Sequence, residues 1–151
     1  MIVRFAAKKD KKQVLDLLDE LVNEFKKRSG LSPIPQDNKK RTKIYDEELK
    51  RNDIKIFVVQ DNNRLVGVAE LFIIPVLRRG YYQGVIESFI ITGKSRGKGI
   101  GSLLLNKIFE YCKSNKLKVI KLTSSLELVD AHEFYEKHGG KFTEKMYRFD
   151  L

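Results

Sequence analysis

Among 151 residues there is one cysteine, three prolines, two histidines and no tryptophan. A lone Cys112 cannot close an internal disulfide, and two His with one Cys are too few for a common structural zinc site, so neither kind of staple, and no metal, is expected. No apolar run approaches the roughly 18 residues of a membrane span. The start Met-Ile-Val-Arg-Phe-Ala-Ala-Lys-Lys becomes charged too early for a signal peptide. A cytoplasmic protein with no membrane partner is the expectation. Acidic residues are in deficit, 20 against 30 Lys plus Arg, which leaves a net charge of +10. That excess suits nucleic acid, an acidic membrane face or a phosphorylated cofactor, and charge alone does not choose among them. At 42% hydrophobic and 33% charged the composition is globular, and the length fits one domain over residues 1–151.

Hydrophobic periodicity gives the order of elements. Ile2 to Ala6 alternates as a short strand, and Asp10 stands where it would cap a helix with Val14, Leu17, Leu18, Leu21, Val22 and Phe25 on one face. The stretch from Arg28 to Asn38 holds two of the prolines and reads as a loop able to act as a lid, followed by a short basic helix ending near Arg51. Ile54 to Gln60 and Leu65 to Ile74 flank Asp61-Asn-Asn and form a hairpin. Val85 to Ile91 is too continuously apolar for an exposed edge and reads as a covered central strand. A helix from Ile100 to Cys112, a strand from Lys118 to Thr123, a helix from Asp130 to His138 and a closing strand from Lys141 to Leu151 complete the order.

Between the covered strand and the helix after it lies Gly93-Lys-Ser-Arg-Gly-Lys-Gly-Ile-Gly-Ser, with glycines alternating as the helix begins. The first amides of a helix have no internal acceptor and carry the positive end of its dipole, so a glycine-cleared helix start seats a phosphate. Arg96 and Lys98 would add mobile positive charge. Two familiar phosphate loops do not fit. Ser88 stands where a P-loop needs its first glycine, and Ser102 stands at the third glycine of G-x-G-x-x-G. The pattern R/Q-x-x-G-x-G/A is met by Arg96, Gly99 and Gly101.

Taken with Ile86-Glu-Ser-Phe-Ile-Ile before it and Ala131-His-Glu-Phe-Tyr-Glu-Lys-His-Gly after it, this turn resembles the GNAT superfamily of N-acetyltransferases. The resemblance covers most of the chain and implies an α/β (α+β) GNAT-like fold: a mostly antiparallel mixed sheet splayed between its fourth and fifth strands, with helices on both faces. It also implies acetyl-CoA as co-substrate. The turn Arg96, Gly97, Lys98, Gly99, Ile100, Gly101 and Ser102 would hold the pyrophosphate, while backbone groups of Phe89, Ile90 and Ile91 would line the pantetheine and the acyl carbonyl.

In the same family a base often stands in the fourth strand, which carries over to Glu87. Desolvation inside an apolar strand would raise its pKa toward a useful range. The alternative for Glu87 is a structural carboxylate paired with a basic residue or exposed at a strand end. Tyr135 matches the tyrosine that faces the departing sulfur, where hydrogen bonding suits a phenol better than full proton transfer. The sequence departs from the family in Thr92-Gly93 after the fourth strand and in Leu128, where an asparagine often contacts pantetheine; Ser124 or Ser125 would take over that contact. His132 reads as a surface histidine and His138 as a helix C-terminal residue.

The implied activity is acetyl transfer to a primary amine of a small molecule, by direct attack in a ternary complex, since Cys112 lies on a helix core face. The ending also resembles aminoalkylphosphonate N-acetyltransferases, and the basic charge suits an acidic small amine. A protein lysine or N-terminal acetyltransferase is one rival. A nucleic-acid module on an inactive acyl-CoA scaffold, using Lys39-Lys-Arg-Thr-Lys, is the other; that run reads more readily as a solvated helix face, so nucleic acid is not the expected partner. A homodimer is the default assembly.

Overall fold

The computed structural model describes residues 1–30 and 35–150. Its elements are β1 (Ile2–Phe5), α1 (Lys11–Ser29), α2 (Asn38–Glu48), β2 (Ile54–Asp61), β3 (Arg64–Val76), β4 (Tyr81–Ile91), α3 (Ile100–Ser114), β5 (Ile120–Leu122) and α4 (Val129–Lys137). The sheet runs β1-β2-β3-β4-β5. Its pairings are antiparallel except for the parallel pair β4 and β5. This is the mixed α/β architecture expected from the sequence.

Alternation along the strands sorts the apolar side chains onto two covered faces. Ile56, Val58, Leu65, Val68 and Ile90 pack under α1 and α2 with Val14, Leu17 and Tyr45. Phe57, Ala69, Leu71, Ile86 and Ile91 pack under α3 with Ile100, Leu104, Leu105 and Ile108. Because both faces are covered, β4 is buried on each side, which is why its sequence shows no polar alternation. Glycine in the left-handed region at Gly30 ends α1, and the Asp37 carboxylate, accepting from the Lys40 amide, starts α2.

Three expectations change. Asp10 makes no side-chain cap on α1; it is buried, accepts from the Ala7 amide at 2.7 Å and pairs with Arg4 at 2.6 Å. The strand expected over Lys118 to Thr123 shortens to Ile120–Leu122. The closing strand is absent: residues 141–150 form no regular structure and are exposed, although Glu144 pairs with Lys121 of β5 at 2.6 Å, because no backbone hydrogen bond joins them to that edge among the described residues. Of the loop expected from Arg28 to Asn38, residues 28 and 29 still belong to α1, residues 31–34 lie outside the described residues, and Asn38 begins α2. Among the described residues no helix is long and apolar enough to cross a membrane.

Candidate functional site

The sheet opens at the end of β4. Its register with β5 runs from Gly84 opposite Ile120 to Ile86 opposite Leu122, whereas β4 continues to Ile91. From Glu87 to Ile91 the β5 side of β4 therefore has no strand beside it among the described residues.

A bulge decides which backbone groups face that gap. Glu70 stands opposite Ser88 but Leu71 stands opposite Ile86, so Glu87 is an extra residue with no partner in β3. Before the bulge, even-numbered residues face β5, as the Gly84 amide donating to Val119 and the Tyr82 carbonyl accepting from Lys118 record. After it, Thr92 donates to the Val66 carbonyl in β3, so alternation turns Ile90 to β3 and leaves Phe89 and Ile91 facing the gap. The expected backbone lining thus narrows to Phe89 and Ile91. Ile90 spends its backbone on the pair with Val68 and buries its side chain under α1.

The glycine turn closes the open end. Gly97 and Gly99 have φ of +72° and +76°, a region strained for any side chain, and no atom lies within 4 Å of where their Cβ would be. Gly101 serves a different need, since a Cβ there would meet the Phe134 ring at 3.3 Å, a contact tight enough that the ring would have to give way. The first backbone bond of α3 outside its own turns is Leu103 to the Gly99 carbonyl. Among the described residues no acceptor is recorded for the amides from Gly97 to Ser102, and the helix dipole adds its positive end there. This unsatisfied, cleared row of donors fits a pyrophosphate.

Long-range contacts hold the turn in place. Arg96 is not mobile: its Nε donates to the Ile91 carbonyl at 2.9 Å and its guanidinium pairs with Glu24 of α1 at 2.7 Å. Glu20, one turn earlier on α1, accepts from the Thr92 hydroxyl at 2.9 Å and from the Gly93 amide at 2.7 Å. Lys98 is exposed, its ammonium 3.4 Å from the Lys94 carbonyl, and it has no acidic partner among the described residues. The Ser102 hydroxyl lies 2.9 Å from His138 Nε2, whose Nδ1 lies 2.7 Å from the Phe134 carbonyl. A carbonyl only accepts, so Nδ1 donates to Phe134, and Nε2 and the Ser102 hydroxyl share the second hydrogen bond. His138 is thereby a brace between α4 and the turn as well as the residue that ends α4. His132 likewise ties α4 to the Ser125 carbonyl at 3.0 Å.

The walls of the gap carry the remaining candidates. Tyr135 packs edge-on against Phe89, with ring centroids 6.2 Å apart, and burial pushes its hydroxyl up to about 12. Ser124 follows β5, and its hydroxyl oxygen is buried without a hydrogen-bond partner among the described residues, an arrangement that costs about 1–3 kcal/mol unless a ligand supplies one. Cys112, on the inner face of α3, is buried and its thiol is pushed up to about 11, which leaves too little thiolate to carry an acyl group.

Glu87 differs from expectation. It is exposed, so the burial argued from its apolar strand does not hold; the bulge lifts it out of the packed faces. The half-buried carboxyls of this region are instead Glu48, at the end of α2, and Glu70 of β3. Burial first and the nearby Glu70 charge second push Glu48 up to about 7. Burial first, then Glu87, raises Glu70, against hydrogen bonds from Ser88 and Glu48 and the charge of Arg41. The sequence reading missed this pair, although Glu70 stands inside an apolar strand as Glu87 does.

Comparison with known proteins fits this geometry. The model of the acetyltransferase (GNAT) family matches residues 15–140. Over 98 residues the chain is 35% identical to the glucosamine 6-phosphate N-acetyltransferase of Trypanosoma brucei brucei, covering 64% of this chain and 65% of that protein. Over 134 residues it is 31% identical to an uncharacterized N-acetyltransferase of Methanocaldococcus jannaschii, covering 86% and 58%. The chain thus spans about two thirds or less of the curated relatives it matches. Among solved structures, a transcriptional regulator from Bacillus halodurans superposes with TM-score 0.86 at 25% identity, covering 99% of each chain. A Trypanosoma brucei acetyltransferase gives 0.76 at 29%, again with 99% of each chain covered. A predicted acetyltransferase with acetyl-CoA from Clostridium acetobutylicum shares the fold, with TM-score 0.80 at 22% identity over 99% of this chain and 96% of that one.

Proposed function

The chain belongs to the GNAT acetyltransferase family, and from that premise we propose that it transfers the acetyl group of acetyl-CoA to the primary amine of a small molecule, by direct attack in a ternary complex. One observation carries the reading: the cleared, unsatisfied amides from Gly97 to Ser102 stand one short loop beyond the strip of β4 that has no strand beside it. The pyrophosphate takes those amides, and the pantetheine lies along Phe89 and Ile91, where it replaces the missing strand and reaches the orphaned Ser124 hydroxyl.

The chemistry follows from these positions. A neutral amine attacks the thioester carbonyl, and the Ile91 N–H, aimed into the gap, donates to the oxyanion that forms; such a donor is typically worth about 3 kcal/mol. Glu87, at the bulge beside the gap, takes the amine proton directly or through water. Collapse of the tetrahedral intermediate expels the coenzyme A thiolate. Tyr135 stabilises that thiolate by donating a hydrogen bond, and a phenol held near 12 keeps its own proton. The buried, protonated Cys112 supports direct attack over an acyl-cysteine route.

For the acceptor, the +10 net charge favours a small amine that also carries an anionic group, and the relative named for glucosamine 6-phosphate points to the same class. Cytoplasmic action accords with this substrate. The test is calorimetric titration of acetyl-CoA at low and high salt, with Gly99→Glu alongside, followed by a panel of phosphorylated and unphosphorylated amines. Micromolar binding that the variant abolishes, and turnover strongest with anionic amines, is expected. Absence of binding refutes the cofactor seat, and a basic chain that binds nucleic acid with steep salt dependence but not acetyl-CoA refutes the enzyme reading.

A further inference from the structure

Each amide bond formed by attack of an amine on a thioester releases one proton, and the side chains below the bulge connect Glu87 to solvent at the end of α2. Glu70 stands opposite Ser88, the residue after Glu87. Alternation puts Glu70 and Ser88 on the sheet face of Val68 and Ile90, under α1 and α2 and away from α3. The Glu70 carboxylate accepts from the Ser88 hydroxyl and from Glu48, and it lies within reach of the Glu87 charge.

Glu48 is also part of the wall of an open cavity of about 190 Å³, with Phe5, Arg51, Lys55 and Ile56. Ile56 is the β2 partner of Glu70, so the cavity and the carboxyl pair adjoin. Two carboxyls held together in a half-buried place are a poor choice for packing alone, since an amide or an apolar pair would avoid the cost of desolvation. Burial raises both, Glu48 to about 7, where a carboxyl gives and takes a proton with equal ease at neutral pH.

We propose that Glu70 and Glu48 are positioning residues for the acetyl transfer, carrying the amine proton from Glu87 through the Ser88 hydroxyl to the cavity at the end of α2. This rests on the reading of Glu87 as the base. The N–H bond of the attacking nitrogen breaks and its proton joins the Glu87 carboxylate. Glu87 passes a proton to the Ser88 oxygen as the Ser88 O–H proton passes to Glu70. Glu48 releases its own proton into the cavity, and the proton now on Glu70 becomes the shared one. One proton leaves per amide bond, coenzyme A departs as the thiolate, and every relay group ends as it began. The charges facing the pair suit the route: Arg41, held by Asp19 of α1 at 2.7 Å, favours ionised Glu70, and Arg51, held by Asp53 at 2.7 Å, favours loss of the Glu48 proton. Lys55 of β2 adds a further positive charge at the cavity wall.

The test uses the full chain with acetyl-CoA and the panel amine it acetylates fastest. Glu70→Gln and Glu48→Gln are each expected to lower kcat roughly 10-fold with acetyl-CoA affinity kept, and Glu48→Asp to restore most of the loss. Added imidazole should rescue Glu48→Gln in proportion to its concentration, because a mobile base removes the proton that the blocked route retains. Adding Glu70→Gln to Glu87→Gln should cost nothing further. Independently of turnover, carbon-13 NMR of the glutamate carboxyls in the acetyl-CoA-loaded chain should show Glu48 and Glu70 titrating as one coupled pair. Unchanged kcat in both Gln variants, a loss that imidazole does not rescue, or carboxyls that titrate independently overturns the relay and leaves the acetyltransferase reading intact. A parent that binds no acetyl-CoA, or acetylates no amine, overturns that reading and the relay with it. If a variant fails to fold, the coupled titration in the parent decides.

Discussion

Replacing Glu48 by Gln tests the carboxyl pair, with a sign and a size the structure provides. Glu48 is raised from an ordinary 4.5 to about 7, by burial first and by Glu70 second. A carboxyl that ionises less readily in the folded chain favours that chain while protonated. Its contribution is therefore complete below about pH 4.5 and is lost as pH rises through about 7. The full shift corresponds to a ceiling of about 3 kcal/mol. Glu48 is only partly buried, and solvent screening reduces this to about 1–2 kcal/mol, or about 2–8 °C in Tm. Asp10 and Asp46, held low by hydrogen bonds from Arg4 and Lys11, are ionised throughout and do not mask the effect. Urea unfolding followed by circular dichroism between pH 5 and pH 8 should show the parent losing stability as pH rises. Glu48→Gln should lose less and be the more stable protein at pH 8, and a smaller slope should persist from Glu70. Equal pH dependence in parent and variant would refute the reasoning.

Three further outcomes separate the roles around the gap. Glu87→Gln should lower kcat roughly 10²-fold at neutral pH, less at pH 9 where more amine is already neutral, with acetyl-CoA affinity unchanged; unaltered turnover removes Glu87 as the base. Tyr135→Phe should cost roughly 10-fold or more in kcat with KM kept, as expected for one hydrogen bond to a charged leaving group, and an unchanged kcat would make Tyr135 a packing residue. Ser124→Ala should leave the free protein as stable or about 1 kcal/mol more stable in thermal denaturation, since it removes an orphaned hydroxyl, while weakening acetyl-CoA several-fold in titration. Unchanged affinity would show that pantetheine does not use that hydroxyl.

What could be read in the sequence was whatever depends on neighbours along the chain. The helical faces of α1 and α3, the Asn62-Asn63 hairpin and the glycine turn all announce themselves within a few residues, and each stands where it was expected. The bulge could not be read, because it is a property of the register between β3 and β4; without it, the apolar surroundings of Glu87 pointed to burial. Glu48 and Glu70 meet only after α2 folds over β3. Glu20 and Glu24 reach Thr92, Gly93 and Arg96 from α1, and nothing local to either end signals the contact. Residues 141–150 alternate as a strand does, but alternation states a capacity to pair and names no partner.

The extra residue at Glu87 also explains how the gap and the glycine turn are joined structurally. A strand that ran without a bulge would direct Ile90, not Ile91, toward the gap, and Ile91 would then be engaged with β3. With the bulge, the Ile91 N–H is left to the gap, and its carbonyl is taken by Arg96 at 2.9 Å, whose guanidinium is in turn held by Glu24. The last residue of β4 is thus tied to the turn that presents the unsatisfied amides, and Glu20 fixes the loop between them. Under the proposed function, this would set a donor for the acyl oxygen and a seat for the pyrophosphate at a fixed separation before any ligand arrives. Such preorganisation lets each donor act at nearly its full strength, because no reordering of the backbone is needed as charge develops.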